Sequence, residues 1–392
     1  MLINVLCNSP EQLEAALEAV RGAAWAADGT ASRGAERSTD HAAEPAQAGT
    51  SLRDEKQAGQ NIFGEIMIES AKFPEGEFSN IVRRCHEAGC GCRLALPYIF
   101  RDKAEAWFTK NKQIIADADF DGYLVRSLSE FSVVREILEA QHGTGASRET
   151  GALSGACSLA EECPQPGSDA QDEPAVPDAF PSQNRADVRS WADAALIKTD
   201  YNMYAMNKAA KQMLTELGAD MLTAPVELNE RELHVLGISG MEILVFGRIP
   251  MMVSAQCLKN AIFGCENRKN VQIKDRTGKV MPVENVCPLC YNLVYNAVPL
   301  SMIGVKDKIL KLSPQAVRLS FTTEDGASCR NILKAYTDAF GGEGHAADQG
   351  GRRSRRSAAE RNEDRGGNGG SGRTVEEPVP EYTRGHFSRG VE

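Results

Sequence analysis

Eight short apolar segments alternate with segments of helical periodicity, and this alternation constrains the fold more than any other feature. The predicted strands are residues 1–7, 64–69, 92–97, 122–126, 194–199, 220–225, 241–246 and 316–321. The predicted helices are residues 11–20, 78–88, 103–116, 131–140, 207–217, 230–236 and 329–340. Strands that alternate with helices pair in parallel, and eight such units predict an α/β fold of the (β/α)8 TIM-like barrel type. An open, doubly wound sheet is the alternative, but it rarely needs eight regular units.

Two stretches without hydrophobic period interrupt this alternation. Residues 22–60 and 141–190 are rich in Ala, Gly, Ser, Pro and charged side chains, which predicts disordered insertions. They divide the barrel into a first half, residues 1–21 and 61–140, and a second half, residues 191–341. Residues 342–378 are predicted to be a flexible linker. The aromatic residues and glycines of 379–392 predict a C-terminal segment that packs on the barrel.

The ends of the predicted strands carry most of the candidate functional residues, because barrel active sites lie at the C-terminal ends of the strands. The residues expected on that face are Cys7, Glu69, Pro97, Tyr98, Arg126, Asp200, Asn202, Glu227, Asn229, Arg248, Thr322 and Thr323. Asp200, Asn202, Glu227 and Arg248 are the candidate catalytic residues among them. A helix N-cap is the structural alternative for Glu227 or Asn229.

A cysteine-rich segment, residues 247–300, follows the seventh strand. Cys257, Cys265, Cys287 and Cys290 lie within 34 residues, and Cys329 follows the eighth strand. Thiolates bind zinc or iron–sulfur clusters, and the Cys-x-x-Cys spacing of Cys287 and Cys290 is typical of both. A zinc knuckle needs two close pairs, and only one exists, so these five cysteines favour an iron–sulfur cluster over zinc. Buried free thiols are the remaining alternative.

The other cysteines point to no such site. Cys85, Cys90 and Cys92 flank a helix end and a strand, and we expect them in the core. Cys157 and Cys163 lie in a predicted insertion, where free thiols are the simpler interpretation.

The composition indicates where the protein is located more clearly than what it does. The N-terminus lacks a secretory signal pattern and no apolar run approaches 18 residues, which predicts a cytoplasmic protein without a membrane partner. A net charge of −10 neither requires nor excludes a nucleic-acid partner. The sequence contains no Ser-His-Asp order, nucleophile elbow, zinc-protease helix or phosphate loop, which argues against the familiar hydrolase classes.

Several runs resemble the collagenase-like peptidase family, peptidase family U-32. The matching runs are Asp200 to Asn207, Leu217 to Asp220, Pro225 to Asn229, the seventh strand with Gly247, Pro250, Met251, Ser254 and Cys257, the Cys-x-x-Cys pair with Tyr291-Asn292, and Thr383 to Gly390. The resemblance covers roughly residues 190–340 and 380–392, and the chain opens like the C-terminal half of the longer members. Phe246-Gly247 stands where the family usually has His-Gly, and Pro250 replaces a family cysteine for which Cys265 is the expected substitute.

The resemblance implies a barrel enzyme with a 4Fe–4S cluster, with zinc as the alternative, held by four of the five cysteines. It implies oxygen-independent hydroxylation of transfer or ribosomal RNA, or of a quinone precursor. The alternatives are a collagenase-like peptidase that cleaves peptide bonds and a non-catalytic subunit that carries the cluster. The implied partners are RNA and either a second family-related subunit or an N-terminal module.

Overall fold

The computed structural model describes residues 1–34, 62–142, 197–265, 271–341 and 377–389. Most of its short apolar segments form strands. The strands are β1 (Leu2–Cys7), β2 (Phe63–Glu69), β3 (Gly91–Ala95), β4 (Gly122–Val125), β5 (Ile197–Thr199), β6 (Met221–Leu222), β7 (Glu242–Gly247), β8 (Pro250–Ser254), β9 (Val271–Lys274), β10 (Val280–Val286), β11 (Tyr291–Tyr295), β12 (Leu300–Ser301) and β13 (Ala316–Ser320).

Eight of these strands form a parallel ring. β1 to β6 pair in sequence order, and β13 pairs with both β1 and β7. The ring closes where Thr223, directly after β6, forms a parallel bridge with Glu242 of β7. The Ala224 amide also donates to the Glu242 carbonyl over 2.7 Å. The predicted (β/α)8 barrel is therefore confirmed, with β12 added antiparallel to β7.

Helices follow most of the barrel strands. They are α1 (Pro10–Gly34), α2 (Phe78–Ala88), α3 (Asp102–Asp117), α4 (Glu130–His142), α5 (Lys208–Glu216), α6 (Glu230–Leu236), α7 (Leu258–Phe263), α8 (Lys306–Leu312) and α9 (Gly326–Phe340). Local signals set their ends: α2 ends at Gly89, whose φ of 87° suits glycine, and the Asp325 side chain caps α9. Among the described helices, none combines the length and the apolar character that crossing a bilayer requires.

The structure differs from the predicted elements at several helices. α1 continues to Gly34, beyond the predicted end at residue 20 and into the segment 22–60. α4 likewise ends at His142, two residues into the predicted insertion 141–190. α7 and α8 were not predicted, because six or seven residues show little helical period. α8 also lacks the capping side chain that marks the equally short α6. The remainder of both insertions, with Cys157 and Cys163, and residues 342–376 of the predicted linker lie outside the described residues.

The segment after β7 forms a second sheet, which we call the cap sheet. It is antiparallel with the strand order β8-β11-β10-β9. Its buried face, which includes Val286, Leu293 and Tyr295, packs against residues such as Ala71 and Phe100. Because residues 71 and 100 follow the carboxyl ends of β2 and β3, the cap sheet covers part of the C-terminal face of the barrel.

The C-terminal segment, described over residues 377–389, lies on the same side. Thr383 bridges Leu300 of β12, and the Ser301 amide donates to the Thr383 carbonyl over 2.9 Å. The Glu230 amide, at the start of α6, donates to the Phe387 carbonyl over 2.8 Å, and the Phe387 ring is buried. The segment therefore runs from β12 to the loop before α6.

Candidate active site

A network of buried charges fills the barrel lumen. Its members are the acids Glu65, Glu69, Asp200 and Glu242 and the bases Arg93, Arg126, Lys198 and Arg318. Burying a charge is costly unless it is paired and hydrogen-bonded, and each of these side chains contacts an opposite charge. The network is therefore electrically balanced and replaces much of the branched aliphatic packing that is usual in such barrels. Leu6, Met67, Ala95 and Leu124 form a small apolar cluster on the same strand faces.

Glu242 is the centre of the lower part of this network. Its carboxylate accepts hydrogen bonds from Lys198 Nζ at 2.9 Å, Asn4 Nδ2 at 2.6 Å and Thr223 Oγ1 at 3.1 Å. Lys198 also contacts Glu65, which accepts from Arg93 Nε at 2.9 Å. Burial alone would raise the pKa of Glu65, but Arg93 and Lys198 lower it to about 2. Glu65 is therefore ionised at neutral pH.

Asp200 is the centre of the upper part. Arg126 Nε donates to Oδ2 at 2.9 Å, while Arg318 Nη2 and the Tyr201 amide both donate to Oδ1. Burial opposes ionisation of Asp200, yet Arg318 and Arg126 lower its pKa to about 2. Both oxygens are occupied and the side chain is fully buried. Asp200 therefore lies one layer below the surface of the predicted pocket, where it fixes the positions of two guanidinium groups.

Arg126 connects this layer to the mouth of the barrel. Its Nη1 and Nη2 donate to the Glu69 carboxylate at 2.8 and 2.6 Å, and Nη1 also donates to the Leu96 carbonyl at 2.7 Å. The guanidinium lies 4.0 Å from the centre of the Tyr98 ring, within the range of a cation–π contact. Strand-end residues that the sequence predicted on this face thus contact one another.

A small cavity lies at the mouth, and we call it the mouth cavity. Its volume is about 20 Å³, close to what one water molecule needs. Its polar lining residues are Asn8, Glu69, Tyr98, Tyr201, Arg248, Tyr295, Arg318, Ser320 and Thr322. The Tyr98 and Tyr201 hydroxyls lie 3.2 Å apart. Burial raises the pKa of Tyr98 to about 12, so its hydroxyl is neutral at physiological pH.

The cap sheet contributes to this cavity through Tyr295 and is fastened to the barrel beside it. The Tyr295 hydroxyl donates to Glu284, which also pairs with Lys72. Asn8 Nδ2, after β1, donates to Glu284 Oε1 over 2.9 Å. The cap sheet is therefore held against the loops that follow β1 and β2. These contacts join residues far apart in the sequence, so the sequence analysis did not predict them.

Three of the candidate cysteines lie at one end of the cap sheet. Cys287 and Cys290 form the exposed turn between β10 and β11, where the Cys290 amide donates to the Val286 carbonyl over 2.8 Å. Cys257, which is half-buried, begins α7, and its sulfur accepts from the Asn260 amide over 3.4 Å. Asn292 Nδ2 donates to the Gln256 carbonyl over 2.7 Å, which joins the two segments. Cys265, which follows α7, is exposed.

Cys329 lies elsewhere. It is fully buried in the first turn of α9, within the predicted helix, with its sulfur 3.9 Å from the Glu324 carbonyl oxygen, and so does not join the other four predicted ligands. Burial raises the pKa of its thiol to about 12. Its neighbour Cys7 is also buried, and burial and Cys329 together raise the Cys7 pKa. The predicted core positions of Cys85, Cys90 and Cys92 are confirmed.

The cysteines of the cap sheet have the donor chemistry of a metal centre, whereas Cys329 does not. Soft thiolates suit zinc and iron–sulfur clusters, and an accessible thiol ionises more readily than a buried one. Cys265, Cys287 and Cys290 are exposed and Cys257 is half-buried, whereas Cys329 is fully buried and burial raises the pKa of its thiol. Within the described ranges, no three His, Cys, Asp or Glu side chains are arranged to hold a metal ion.

The remaining candidates flank the mouth. Arg248 lines the cavity, and its Nη1 donates to the Asn296 and Ala297 carbonyls at 3.0 and 2.5 Å. Asn202 Nδ2 donates to the Arg126 carbonyl over 3.1 Å.

Glu227 lies further out and does not line the cavity. Burial raises its pKa, which His386 of the C-terminal segment opposes. Asn229 caps α6 through a capping box with Glu232, so the N-cap role belongs to Asn229.

Comparison with known proteins adds only distant likenesses. The sequence matches no family model and no curated protein. The fold is similar to a structure described as a fructose-1,6-biphosphate aldolase from Coccidioides immitis, with 8% identity, a TM-score of 0.33 and coverage of 87% of this chain and 79% of that one. It is similar to the U32 peptidase Mk0906, with 10% identity, a TM-score of 0.34 and coverage of 83% and 94%.

A third likeness is to thiamine phosphate pyrophosphorylase from Pyrococcus furiosus, with 9% identity, a TM-score of 0.32 and coverage of 86% of this chain and 96% of that one. None of these TM-scores is high enough to support an argument about function or family membership. The barrel assignment therefore rests on the strand order of the chain itself.

Proposed function

We propose that this chain is a barrel enzyme that binds its substrate at the mouth cavity, beside the cap sheet, and that the cap sheet holds a thiolate metal centre. The observation that carries the proposal is the position of the mouth cavity. It lies at the carboxyl ends of the barrel strands, and Arg318, Tyr98 and Tyr201 line it. The paired charges beneath it hold the arginines in fixed positions, as a preorganised binding site requires.

The proposed ligands of the metal centre are Cys257, Cys265, Cys287 and Cys290. An iron–sulfur cluster supplies one-electron redox chemistry, whereas a four-thiolate zinc stabilises the fold. β11 separates Cys290 from Tyr295 by five residues, or roughly 17 Å of strand. A centre held by these cysteines would lie at the far end of the cap sheet from the cavity, a position that suits electron supply or structural support better than direct contact with substrate.

The proposed substrate is RNA, and the proposed reaction is its oxygen-independent hydroxylation. One described feature favours a polynucleotide: the β9–β10 hairpin tip presents Lys274, Arg276 and Lys279 to solvent. The Asp275 carboxylate accepts from the Thr277 and Lys279 amides at 2.8 Å, which holds the tip in one conformation. Clustered exposed cations of this kind contact phosphates in nucleic-acid-binding proteins.

Metal analysis tests the cofactor part of the proposal. Protein purified without oxygen should contain iron and acid-labile sulfide, and Cys287→Ser should lose both. Cys329→Ala is the matched control and should keep them, because its thiol is buried in the barrel wall. Iron near zero in the wild type would contradict the cluster. If the same protein contained zinc instead, the centre would be a four-thiolate zinc site.

Mass spectrometry of transfer and ribosomal RNA from cells with and without the gene tests the reaction. A hydroxylated nucleoside should disappear with the gene and return with a wild-type copy. Unchanged RNA together with gelatin cleavage by the metal-free protein would favour the collagenase-like peptidase instead.

A further inference from the structure

Three hydrogen-bond donors at the mouth cavity have no partner among the described residues. They are Arg318 Nε, Arg248 Nε and the Ser320 hydroxyl. Arg318 Nη1 also makes no hydrogen bond, but it lies 3.2 Å from Glu242 Oε1 in an ion pair. Arg318 is 0% exposed and Ser320 is 8% exposed. The two lie two residues apart on β13, so both side chains are on the lumen face of the strand. Buried donors are rarely left unpaired in native proteins, and such groups call for a specific explanation.

The carboxylates beside the cavity already accept hydrogen bonds. Both Glu69 oxygens accept from Arg126, and Glu284 accepts from Tyr295 and Asn8. The Tyr98 and Tyr201 hydroxyls bond each other. The cavity therefore offers a surplus of donors, and a group that satisfies them must bring an acceptor.

The charge of the surroundings indicates that this acceptor is neutral. Each lumen base has a lumen acid as a partner, Lys72 pairs with Glu284, and Arg248 Nε lies 3.9 Å from Glu324. A carboxylate or phosphate bound here would add an unbalanced negative charge in a region of low dielectric, which is costly. A carbonyl oxygen satisfies the same donors without adding charge.

The size of the cavity also favours a carbonyl oxygen over a charged group. A volume of about 20 Å³ admits a single oxygen atom but not a whole carboxylate or phosphate group. The rings of Tyr98, Tyr201 and Tyr295 are also part of the lining, and flat aromatic walls pack well against a planar group.

From this geometry we propose that the mouth cavity binds a neutral carbonyl oxygen of a planar group, an amide or a ring carbonyl, through Arg318, Ser320 and Arg248. The inference rests on the proposed function only in taking the mouth as the substrate site. Beyond the proposed function, it identifies the chemical group of the substrate that the mouth cavity binds. Ser320 and Arg248 are then binding residues, and Asp200 is a positioning residue that acts through Arg318.

Ligand-observed NMR titration of the full chain with small probes tests this inference. The neutral probes are 2-pyridone, which carries a ring carbonyl, and N-methylacetamide, which resembles a peptide bond. The charged probes are acetate and inorganic phosphate. We expect at least one neutral probe to bind more tightly than both charged probes. The tighter neutral probe then shows whether the carbonyl comes from a ring or from a peptide.

Ser320→Ala should weaken binding of the preferred neutral probe by about threefold to tenfold, the effect of one hydrogen bond. Tyr123→Phe is the matched control: it also removes a buried hydroxyl without a partner, but Tyr123 does not line the cavity. It should leave the affinity unchanged.

Tighter binding of acetate or phosphate, equal affinity in the Ser320→Ala variant, or no saturable binding of either neutral probe would overturn the inference. Metal content and RNA hydroxylation are measured independently. A failed titration with hydroxylation intact therefore refutes the carbonyl site alone.

Discussion

Arg126 Nε lies 2.9 Å from Asp200 Oδ2, and both side chains are completely buried. The two residues directly follow β4 and β5, which are neighbours in the barrel. Arg126 also binds Glu69 at the mouth, and Asp200 also binds Arg318 in the lumen. The pair therefore links the surface that would meet substrate to the charged interior of the barrel.

Asp200→Asn should destabilise the protein strongly. The substitution keeps the size of the side chain but leaves Arg126 and Arg318 buried with one acid fewer to neutralise them. Removing one partner from a buried ion pair typically costs about 3–5 kcal/mol of unfolding free energy. Urea denaturation at pH 7 should therefore show a much lower midpoint.

Glu18→Gln is the matched control, because the Glu18–Arg330 pair is exposed and surface pairs contribute little. It should leave the urea midpoint unchanged. A midpoint for Asp200→Asn as high as that of this control would show that the Asp200 charge does not stabilise the barrel.

Stability should fall steeply at acid pH because of the same network. The pKa values of Asp200 and Glu65 are both about 2 in the folded protein, below their ordinary values of 3.8 and 4.5. Their contribution is fully present above pH 4.5 and is lost as the pH falls toward 2. Each carboxylate should account for about 2–3 kcal/mol. Urea unfolding at pH 5, 4 and 3 would measure the loss, and Asp200→Asn should show a shallower decline than the wild type.

Glu130 should produce a dependence of the opposite sign near neutral pH. Its carboxyl is fully buried, and burial raises its pKa to about 7, although the Arg126 and Ser127 amides oppose the shift. In the unfolded chain the group ionises near its ordinary value of 4.5. Folding stability contributed by this group therefore falls as the pH rises from about 4.5 to 7. Glu130→Gln cannot ionise, so its unfolding free energy should change less than that of the wild type between pH 5 and pH 8.

Much of the barrel was predictable from the sequence, because its strands are apolar segments bounded by turn residues. The strand ends also predicted Glu69, Tyr98, Arg126 and Arg248 at the mouth, and the structure places these residues there. The position of Asp200 one layer deeper depends on its two arginine partners. One of them, Arg318, lies on the distant β13, and local sequence does not specify such a pairing.

The lumen charges were missed, although the sequence held a signal for them. Single charged residues stand inside otherwise apolar strands at Glu65, Arg93, Lys198, Glu242 and Arg318. In a barrel strand with apolar neighbours on both sides, such a residue faces the lumen and needs an opposite charge there. The cap sheet was less accessible to prediction, because the order of antiparallel strands depends on long-range pairing.

Asn229→Ala should cost about 1 kcal/mol of unfolding free energy, the usual value of an N-cap. The Asn229 side chain accepts from the Glu232 amide over 3.0 Å, and the Glu232 carboxylate accepts from the Asn229 amide over 2.8 Å. Asn229→Asp keeps an acceptor at the same position and should retain wild-type stability. Equal destabilisation by both substitutions would indicate that the side chain acts through packing rather than through the cap.

Gly247→Ala should disturb the mouth of the barrel. Gly247 ends β7 with a φ of 142°, where a side chain is strained, and an added Cβ would lie 2.4 Å from the Ser320 carbonyl oxygen and 3.0 Å from the Ser320 Cβ. The methyl group must push β7 away from β13, because both contacts are shorter than van der Waals distance. We expect a loss of about 2–4 kcal/mol in unfolding free energy, measured by urea denaturation. Gly76→Ala is the matched control, because an added Cβ there meets nothing within 4 Å, and it should keep wild-type stability.

Because Ser320 lines the mouth cavity, Gly247→Ala should also weaken binding of the neutral carbonyl probe, while Gly76→Ala should not. Wild-type stability in the Gly247→Ala variant would show that β7 and β13 can separate at the mouth without cost, and would contradict the close packing on which the cavity depends.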